Sequence, residues 1–210
     1  MKISIIIPVY NEAKTIIEII QRVQQSNPDL DMEMLVVDDG STDGTARAVE
    51  TFKGSQVILL RHPSNQGKGA AIRRALSHVS GDVVIIQDAD LEYDPKDYSK
   101  LLAPIVGGKE VVVYGSRILK KDNPKAGLTF YLGGRLLSFI TNLLYGTRIT
   151  DEPTCYKVFK TEVIREINLR CSGFEFCPEV TAKLAKRGYR IAEVPISYKP
   201  RSIAEGKKIG

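Results

Sequence analysis

The sequence predicts an α/β protein with a doubly wound, mostly parallel sheet flanked by helices. Short apolar runs rich in β-formers alternate with segments of helical periodicity, and repeated β-then-α units are typical of that architecture. Polar and acidic residues follow three of these runs, at the strand ends where open α/β sheets bind ligands. With 210 residues, 43% of them hydrophobic, the chain has the size and composition of one soluble domain.

The elements of the first half can be placed in order. The first strand is the isoleucine-rich run 2–9, and the first helix, 12–25, carries its apolar residues on one face. Polar residues 41–45 offer N-caps for a second helix through Val49. The remaining predictions are strands 32–37, 56–60, 82–87 and 110–114, and a helix over 67–79.

The second half is less regular and is predicted as a C-terminal extension of the sheet. Segment 128–145 is apolar around much of its circumference and predicts a helix, whereas 156–159 predicts a strand. A helix over 179–187 ends at Gly188, and a strand over 189–194 ends at Pro195. The chain then closes with a basic tail, 198–210.

Charge separates the two halves. Residues 1–116 contain 12 Lys and Arg against 16 Asp and Glu, whereas residues 117–210 contain 18 against 9. An acidic half followed by a basic half indicates two electrostatic roles, with plain surface solubility as the alternative. Basic residues without interleaved aromatics on a sheet do not favour nucleic-acid binding.

Cysteine usage and hydropathy predict a cytoplasmic protein. The three cysteines, Cys155, Cys171 and Cys177, are odd in number and have no CxxC spacing, as expected of free thiols in a reducing compartment. No run approaches the roughly 18 apolar residues of a spanning helix, so membrane contact would be peripheral, on the cytoplasmic face, or would use sequence beyond Gly210. Segment 128–145 is the candidate contact; packing on the sheet or a homodimer contact are the alternatives.

Acidic residues concentrate at the predicted strand ends. Without a cation they would repel one another, and hard carboxylate ligands suit Mg²⁺ or Mn²⁺, which usually also hold a substrate phosphate. Helix capping by Asp39 and Asp43 is the structural alternative, and a lone DxD is a weak signal. A DxD directly after an apolar strand is stronger. The residues concerned are Glu12 after the first strand, Asp38 and Asp39 after the second, and Asp88, Asp90 and Glu92 after the fourth.

Other site motifs are absent from the sequence. Gly67-Lys68-Gly69 lacks the rest of a GxxxxGK[ST] loop, no GxGxxG follows the first strand, and there is no G-x-S-x-G elbow. His62 and His78 are predicted in surface or capping roles.

The ordered motifs resemble the family 2 glycosyltransferases of the GT-A fold. They are IIIPVYNE, VVDDGSTDGT, NQGKGAA, the DAD of QDADLE, and GSR, followed by TDEPTCYKVF, GFEFCPEVTAKLAKRGYRIAEVPISY and PRSIAEGKKI. The set looks most like the branch with dolichyl-phosphate mannosyltransferase and related polyprenyl-phosphate glycosyltransferases. The tail reads EGKKI where the mannosyltransferases read RxxGxSK, so the donor stays open between the GDP-mannose and UDP-glucose types.

The resemblance implies roles for individual residues. Asp90 would be the principal metal ligand, Arg117 would pair with the donor phosphates, and Asp151 would lie near the acceptor, where a base has been considered. The implied sets are Pro8, Tyr10, Glu12 and Asp39 for the base and ribose of a nucleotide sugar; Asp88 and Ala89 beside the nucleotide; Asp88, Asp90 and Glu92 for the metal; and Arg201 and Lys208 for phosphate.

The implied reaction is metal-dependent, inverting transfer of a hexose from a nucleotide sugar to a polyprenyl or dolichyl phosphate. In one GT-A domain, 1–116 would bind the donor and 117–210 the acceptor. The first alternative is a saccharide or other hydroxyl acceptor, which needs a base. A sugar nucleotidyltransferase, whose usual glycine-rich basic first loop is missing, and a non-catalytic nucleotide-binding module are further alternatives. The candidate bases for a hydroxyl acceptor are Asp151, Glu175 and Glu179.

Overall fold

A computed structural model describes residues 1–52, 54, 56–124 and 127–201. These residues form a seven-stranded sheet in the order β3-β2-β1-β4-β6-β5-β7. All neighbours pair in parallel except β6, which is antiparallel to both β4 and β5. The strands are β1 (Ile3–Val9), β2 (Met32–Asp38), β3 (Val57–Arg61), β4 (Val83–Ile86), β5 (Val112–Ser116), β6 (Lys157–Lys160) and β7 (Ala192–Pro195).

Helices cover both faces of the sheet, which confirms the predicted α/β architecture. One face packs against α1, α2 and α4, and the other against α3, α6 and α7. A short 3₁₀ turn, Pro95–Asp97, precedes α4. The helices are α1 (Ile16–Ser26), α2 (Thr45–Thr51), α3 (Lys68–Leu76), α4 (Tyr98–Val106), α5 (Leu128–Tyr145), α6 (Thr161–Glu166) and α7 (Phe176–Lys186).

The central strands are apolar on both faces because both are covered. In β1, Ile5 and Ile7 pack in the layer with α1, whereas Ile6 packs in the layer with α3. Such continuous apolar runs are typical of parallel strands buried on both sides. The arrangement leaves the carboxyl ends of β1, β2 and β4 side by side.

Several element bounds differ from the sequence predictions. The first helix begins at Ile16 rather than Glu12, because residues 11–15 are held in a turn by the loop after β2. Helix α7 begins at Phe176 rather than at residue 179, and β7 begins at Ala192 rather than at residue 189. No bounds were predicted for α4 or α6. Pro104 lies inside α4, and α6 is only six residues long, so both lack a clear helical pattern in the sequence.

Candidate active site

A large cavity lies at the carboxyl ends of β1, β2 and β4. Its volume is about 1160 Å³, and its wall continues from the strand ends to α5. The resemblance assigns roles to twelve residues; eleven of them line this cavity, and the other, Lys208, lies outside the described residues. The eleven are Pro8, Tyr10, Glu12, Asp39, Asp88, Ala89, Asp90, Glu92, Arg117, Asp151 and Arg201.

The turn after β1 is tied to the loop after β2 by side-chain hydrogen bonds. The Thr42 amide donates to Asn11 Oδ1 at 2.8 Å, and the Glu12 amide donates to Thr45 Oγ1 at 3.0 Å. Asn11 itself adopts a positive φ of 51°, a conformation that Asn tolerates better than most residues. These bonds keep Glu12 at the cavity wall instead of in the first turn of a helix.

Asp39 is a buried carboxylate that organises the loop between β3 and α3. Its Oδ1 accepts the Gln66 amide at 2.9 Å and lies 2.6 Å from His62 Nδ1, while Oδ2 accepts the Gly67 amide at 2.7 Å. A side chain at Gly67, whose φ is 95°, would collide with the Ser172 carbonyl oxygen. His62 thus contacts a site carboxylate, a role that the surface or capping prediction missed.

Lys68 is a partly buried cation that sequence reasoning did not select. Its ammonium pairs with Asp88 and lies 3.2 Å from Cys155 Sγ. Burial opposes ionisation of Asp88, but the attraction of Lys68 and hydrogen bonding lower the pKa of its carboxyl below the ordinary value. The NQGKG motif contains Lys68, yet its partner is 20 residues away, so no local pattern indicates the pairing.

Asp90 is held in an electrostatically unfavourable position. Burial first, and then repulsion from Asp88 and Glu92, raise its pKa to about 7 despite a hydrogen bond from the Glu92 amide and attraction by Arg201. A carboxyl with that environment gains strongly from a nearby cation. The donor chemistry at Asp90 therefore fits a hard divalent ion.

Glu92 is already engaged by the segment after β7. Its Oε2 accepts the Tyr198 hydroxyl at 2.9 Å, and its Oε1 accepts the Arg201 amide at 2.8 Å. Within the described part of the chain, no group of three or more His, Cys, Asp or Glu side chains is arranged to hold one metal ion. Ligation by Asp88 and Glu92 together with Asp90 stays a prediction.

Arg117 and Asp151 form a bidentate ion pair in the cavity wall. Asp151 Oδ2 accepts both the Arg117 amide and Nε at 2.8 Å, and Oδ1 accepts Nη2 at 2.7 Å. The amide of Asp151 donates in turn to Glu193 at 3.0 Å. Arg117 also lies 5.1 Å from the centre of the Tyr198 ring. Both Asp151 oxygens are therefore committed to orienting Arg117.

The far wall of the cavity is α5, whose outer surface is apolar and exposed. This helix packs chiefly on α7, and among the described residues no helix is both long and apolar enough to cross a membrane. Arg135 and Arg148, both exposed, flank a smaller cleft of about 340 Å³ beside the helix. The exposed apolar side chains of α5 are Phe130, Leu132, Leu136, Leu137, Phe139, Ile140, Leu143 and Leu144.

Comparison with protein families gives the site its context. Residues 4–167 match the family described as Glycosyl transferase family 2, which is well over half of the chain. The chain belongs to glycosyl transferase family 2. It is therefore a glycosyltransferase. Family membership favours this function over the two alternatives of another class, a sugar nucleotidyltransferase and a non-catalytic nucleotide-binding module.

Two curated relatives match almost the entire chain. A UDP-N-acetylglucosamine–dolichyl-phosphate N-acetylglucosaminyltransferase of Methanococcus voltae is 31% identical over 99% of this chain and 90% of its own length. A dolichol-phosphate mannosyltransferase of Pyrococcus furiosus is 31% identical over the whole chain, which spans only 60% of that longer protein.

The fold has close counterparts among solved structures. Glucosyl-3-phosphoglycerate synthase from Mycobacterium tuberculosis, crystallised with uridine diphosphate, superposes with a TM-score of 0.75 over 96% of this chain and 72% of its own, at 22% identity. At that identity the likeness establishes the fold, which is the predicted GT-A type.

Proposed function

We propose that this glycosyltransferase moves a hexose from a nucleotide sugar to a polyprenyl phosphate, with inversion at the anomeric carbon. The observation that carries the proposal is the composition of the cavity wall. Carboxylates line it at the strand ends, Arg117 lines it with them, and residues of the apolar helix α5 complete the wall. The acceptors named for the M. voltae and P. furiosus relatives are dolichyl lipids, which supports a lipid phosphate here.

The donor nucleotide would lie against the first half of the chain. Pro8, Tyr10 and Ala89 supply flat or small surfaces for base and ribose, while Glu12 and Asp39 supply oxygen acceptors for their hydroxyl and N–H groups. Asp39 is well suited to a fixed recognition role because two amides and His62 hold its carboxylate in place. Residues 1–116 would thus form the donor half of one domain.

A divalent cation, Mg²⁺ or Mn²⁺, would be held by Asp90, with Asp88 adjacent. When bound it would neutralise the charge that develops on the departing diphosphate. Arg117 would stabilise the same charge from the protein side, because its guanidinium is already oriented by Asp151 before the substrate arrives.

The geometry favours an acceptor that needs no general base. A phosphate monoester, with its second pKa near 6, is a nucleophile at pH 7 without help, whereas a sugar hydroxyl must lose a proton. Both oxygens of Asp151 bind Arg117. For Glu179, burial is outweighed by hydrogen bonds from Cys171, Lys183 and Arg170, which lower its pKa to about 2, so it is a poor base. Glu175 lines the cavity but binds the Ser172 and Gly173 amides.

The acceptor half, 117–210, would meet the lipid at a membrane surface through α5. Leucines 143 and 144 are 73% and 66% exposed, and water-exposed apolar surface of this extent favours transfer into a bilayer interface. Arg135 and Arg148 would then face lipid headgroups. The same helix also forms part of the cavity wall, so a phosphate at the interface could reach Arg117 while its prenyl chain stays in lipid.

The test is a transfer assay with radiolabelled nucleotide sugars, Mn²⁺ and polyprenyl phosphate in detergent. We expect labelled lipid with at least one common donor, and loss of the label when EDTA is added. No labelled lipid with any common donor, together with labelling of a free saccharide acceptor, would reject the lipid acceptor.

A further inference from the structure

Arg201 extends into the acidic end of the cavity. Its Nη1 and Nη2 lie 3.0 and 3.1 Å from the two carboxylate oxygens of Glu12. Nη2 also lies 3.4 Å from Asp90 Oδ2, and Nε lies 4.0 Å from Glu92 Oε1. One guanidinium therefore faces three carboxylates that come from the ends of two strands.

The segment before Arg201 is anchored so that the side chain points to these carboxylates. Glu92 accepts the Tyr198 hydroxyl and the Arg201 amide through its side chain, and its carbonyl accepts the Lys199 amide at 2.9 Å. Tyr198 also forms a β-bridge with Tyr93. Glu92 thus holds the C-terminal segment in place, and its two oxygens are used for that purpose.

A guanidinium and a divalent cation at the same oxygen of Asp90 oppose each other. Coulomb repulsion between the two positive charges is strong at a separation of a few ångströms in a partly buried site. In this structure Arg201 Nη2 already lies beside Asp90 Oδ2, at 3.4 Å. A cation that bound Asp90 would have to compete with Arg201 for that oxygen.

We infer that Arg201 is the resident counter-ion of the acidic site and that binding of the divalent cation at Asp90 displaces its guanidinium. The inference rests on the metal site of the proposed function. The displaced guanidinium, still tethered through Glu92, is left beside the position of the donor diphosphate. Arg201 therefore exchanges one anionic partner for another, and Glu92 positions the segment that makes the exchange possible.

The experiment measures Mn²⁺ affinity of the full chain without nucleotide, from the electron paramagnetic resonance signal of free Mn²⁺. Arg201→Gln removes the competing charge, and we expect Mn²⁺ to bind about tenfold more tightly. Arg201→Lys keeps the charge and should stay within about threefold of wild type. Arg190→Gln is the matched control, because Arg190 is an arginine paired with Glu110 at 3.4 Å and 82% exposed in its side chain.

Tighter Mn²⁺ binding in Arg201→Gln alone supports the inference, and the effect should vanish when Asp90→Asn is added. The inference is overturned if Arg201→Gln binds Mn²⁺ no more tightly than wild type, or if neither protein binds Mn²⁺. It is also overturned if Arg190→Gln gains as much Mn²⁺ affinity as Arg201→Gln. The proposed function is judged separately by transfer to polyprenyl phosphate in excess Mn²⁺. A protein that transfers sugar but shows equal affinities would retain its function and lose only this role of Arg201.

Discussion

The two ends of the sheet shift the pKa of a carboxyl group in opposite directions. At the amino end, Glu33 accepts hydrogen bonds from Ser4 and Ser80 and pairs with Lys2 at 2.9 Å. Burial raises the pKa of its carboxyl, but these donors outweigh burial and lower it to about 2. At the carboxyl end, burial and neighbouring carboxylates raise the pKa of Asp90 to about 7.

The difference separates stability from function. The amino end satisfies its charge with protein donors, so Glu33 stabilises the fold. The carboxyl end accumulates acidic groups beyond what its own donors satisfy, which is the arrangement expected where a ligand supplies the missing positive charge. Four changes would break or sharpen this comparison, from the largest expected effect to the smallest.

Asp90→Ala removes the carboxylate assigned to the cation. We expect transfer to fall by about a thousandfold, because stabilisation of the leaving diphosphate is lost, while the thermal unfolding midpoint stays close to wild type. The assay is labelled-lipid formation at saturating donor and Mn²⁺. Asp29→Ala, at an exposed loop position, is the control and should keep full activity. Unchanged turnover of Asp90→Ala in excess Mn²⁺ would contradict the assignment.

Replacing Leu143 and Leu144 by glutamate tests the membrane face of α5. Two exposed leucines become charged, so partition onto vesicles containing anionic lipid should weaken by about a hundredfold, with nucleotide binding unchanged. Co-sedimentation with vesicles measures the effect. Val106→Glu is the matched control, since Val106 is 62% exposed at the end of α4. Equal partition of the double variant and wild type would remove the membrane role.

Glu33→Gln tests the amino end through pH. The folded pKa of about 2 lies below the ordinary value of 4.5, so the stabilisation is present above pH 4.5 and is lost as pH falls toward 2. Between pH 7 and pH 3, Glu33 should account for a loss of about 2 kcal/mol in the free energy of unfolding. Urea unfolding of wild type and variant at both pH values measures this; identical pH dependence would show that Glu33 does not contribute.

Asp151→Asn distinguishes orientation of Arg117 from base catalysis. Asparagine retains one acceptor oxygen but no charge, so we expect kcat to fall only about tenfold and the pH profile to keep its shape. Loss of a general base would cost 10²–10⁴-fold, roughly, and would remove an ionisation from the profile. Single-turnover transfer across pH 5–9 separates the two results.

The sequence could predict the acidic residues at the strand ends because their positions follow from local pattern. Apolar runs that end in acidic residues placed Asp39, Asp88 and Asp90 at strand ends, and parallel pairing of β1 with β2 and β4 brings those ends together. The start of the 3₁₀ turn is equally local, since Asp94 accepts the Lys96 amide and Pro95 occupies the first helical position.

Partners from distant segments could not be predicted in the same way. Lys68 with Asp88, Arg117 with Asp151, and Arg201 with Glu12 join residues 20, 34 and 189 positions apart. Each pair forms only when the sheet topology brings separate segments of the chain together at the cavity, which no periodicity in the sequence encodes. For the same reason Asp151 resembled a candidate base until its contacts with Arg117 were seen.

The central claim is that the acidic strand ends hold a cation which bridges to a nucleoside diphosphate. Calorimetric titration of nucleoside diphosphates, with and without Mn²⁺, into wild type and Asp90→Ala tests it most directly. The account predicts that Mn²⁺ tightens binding at least about tenfold in wild type and has no effect in Asp90→Ala. Equal affinity with and without Mn²⁺ in wild type, or the same gain in both proteins, would contradict it.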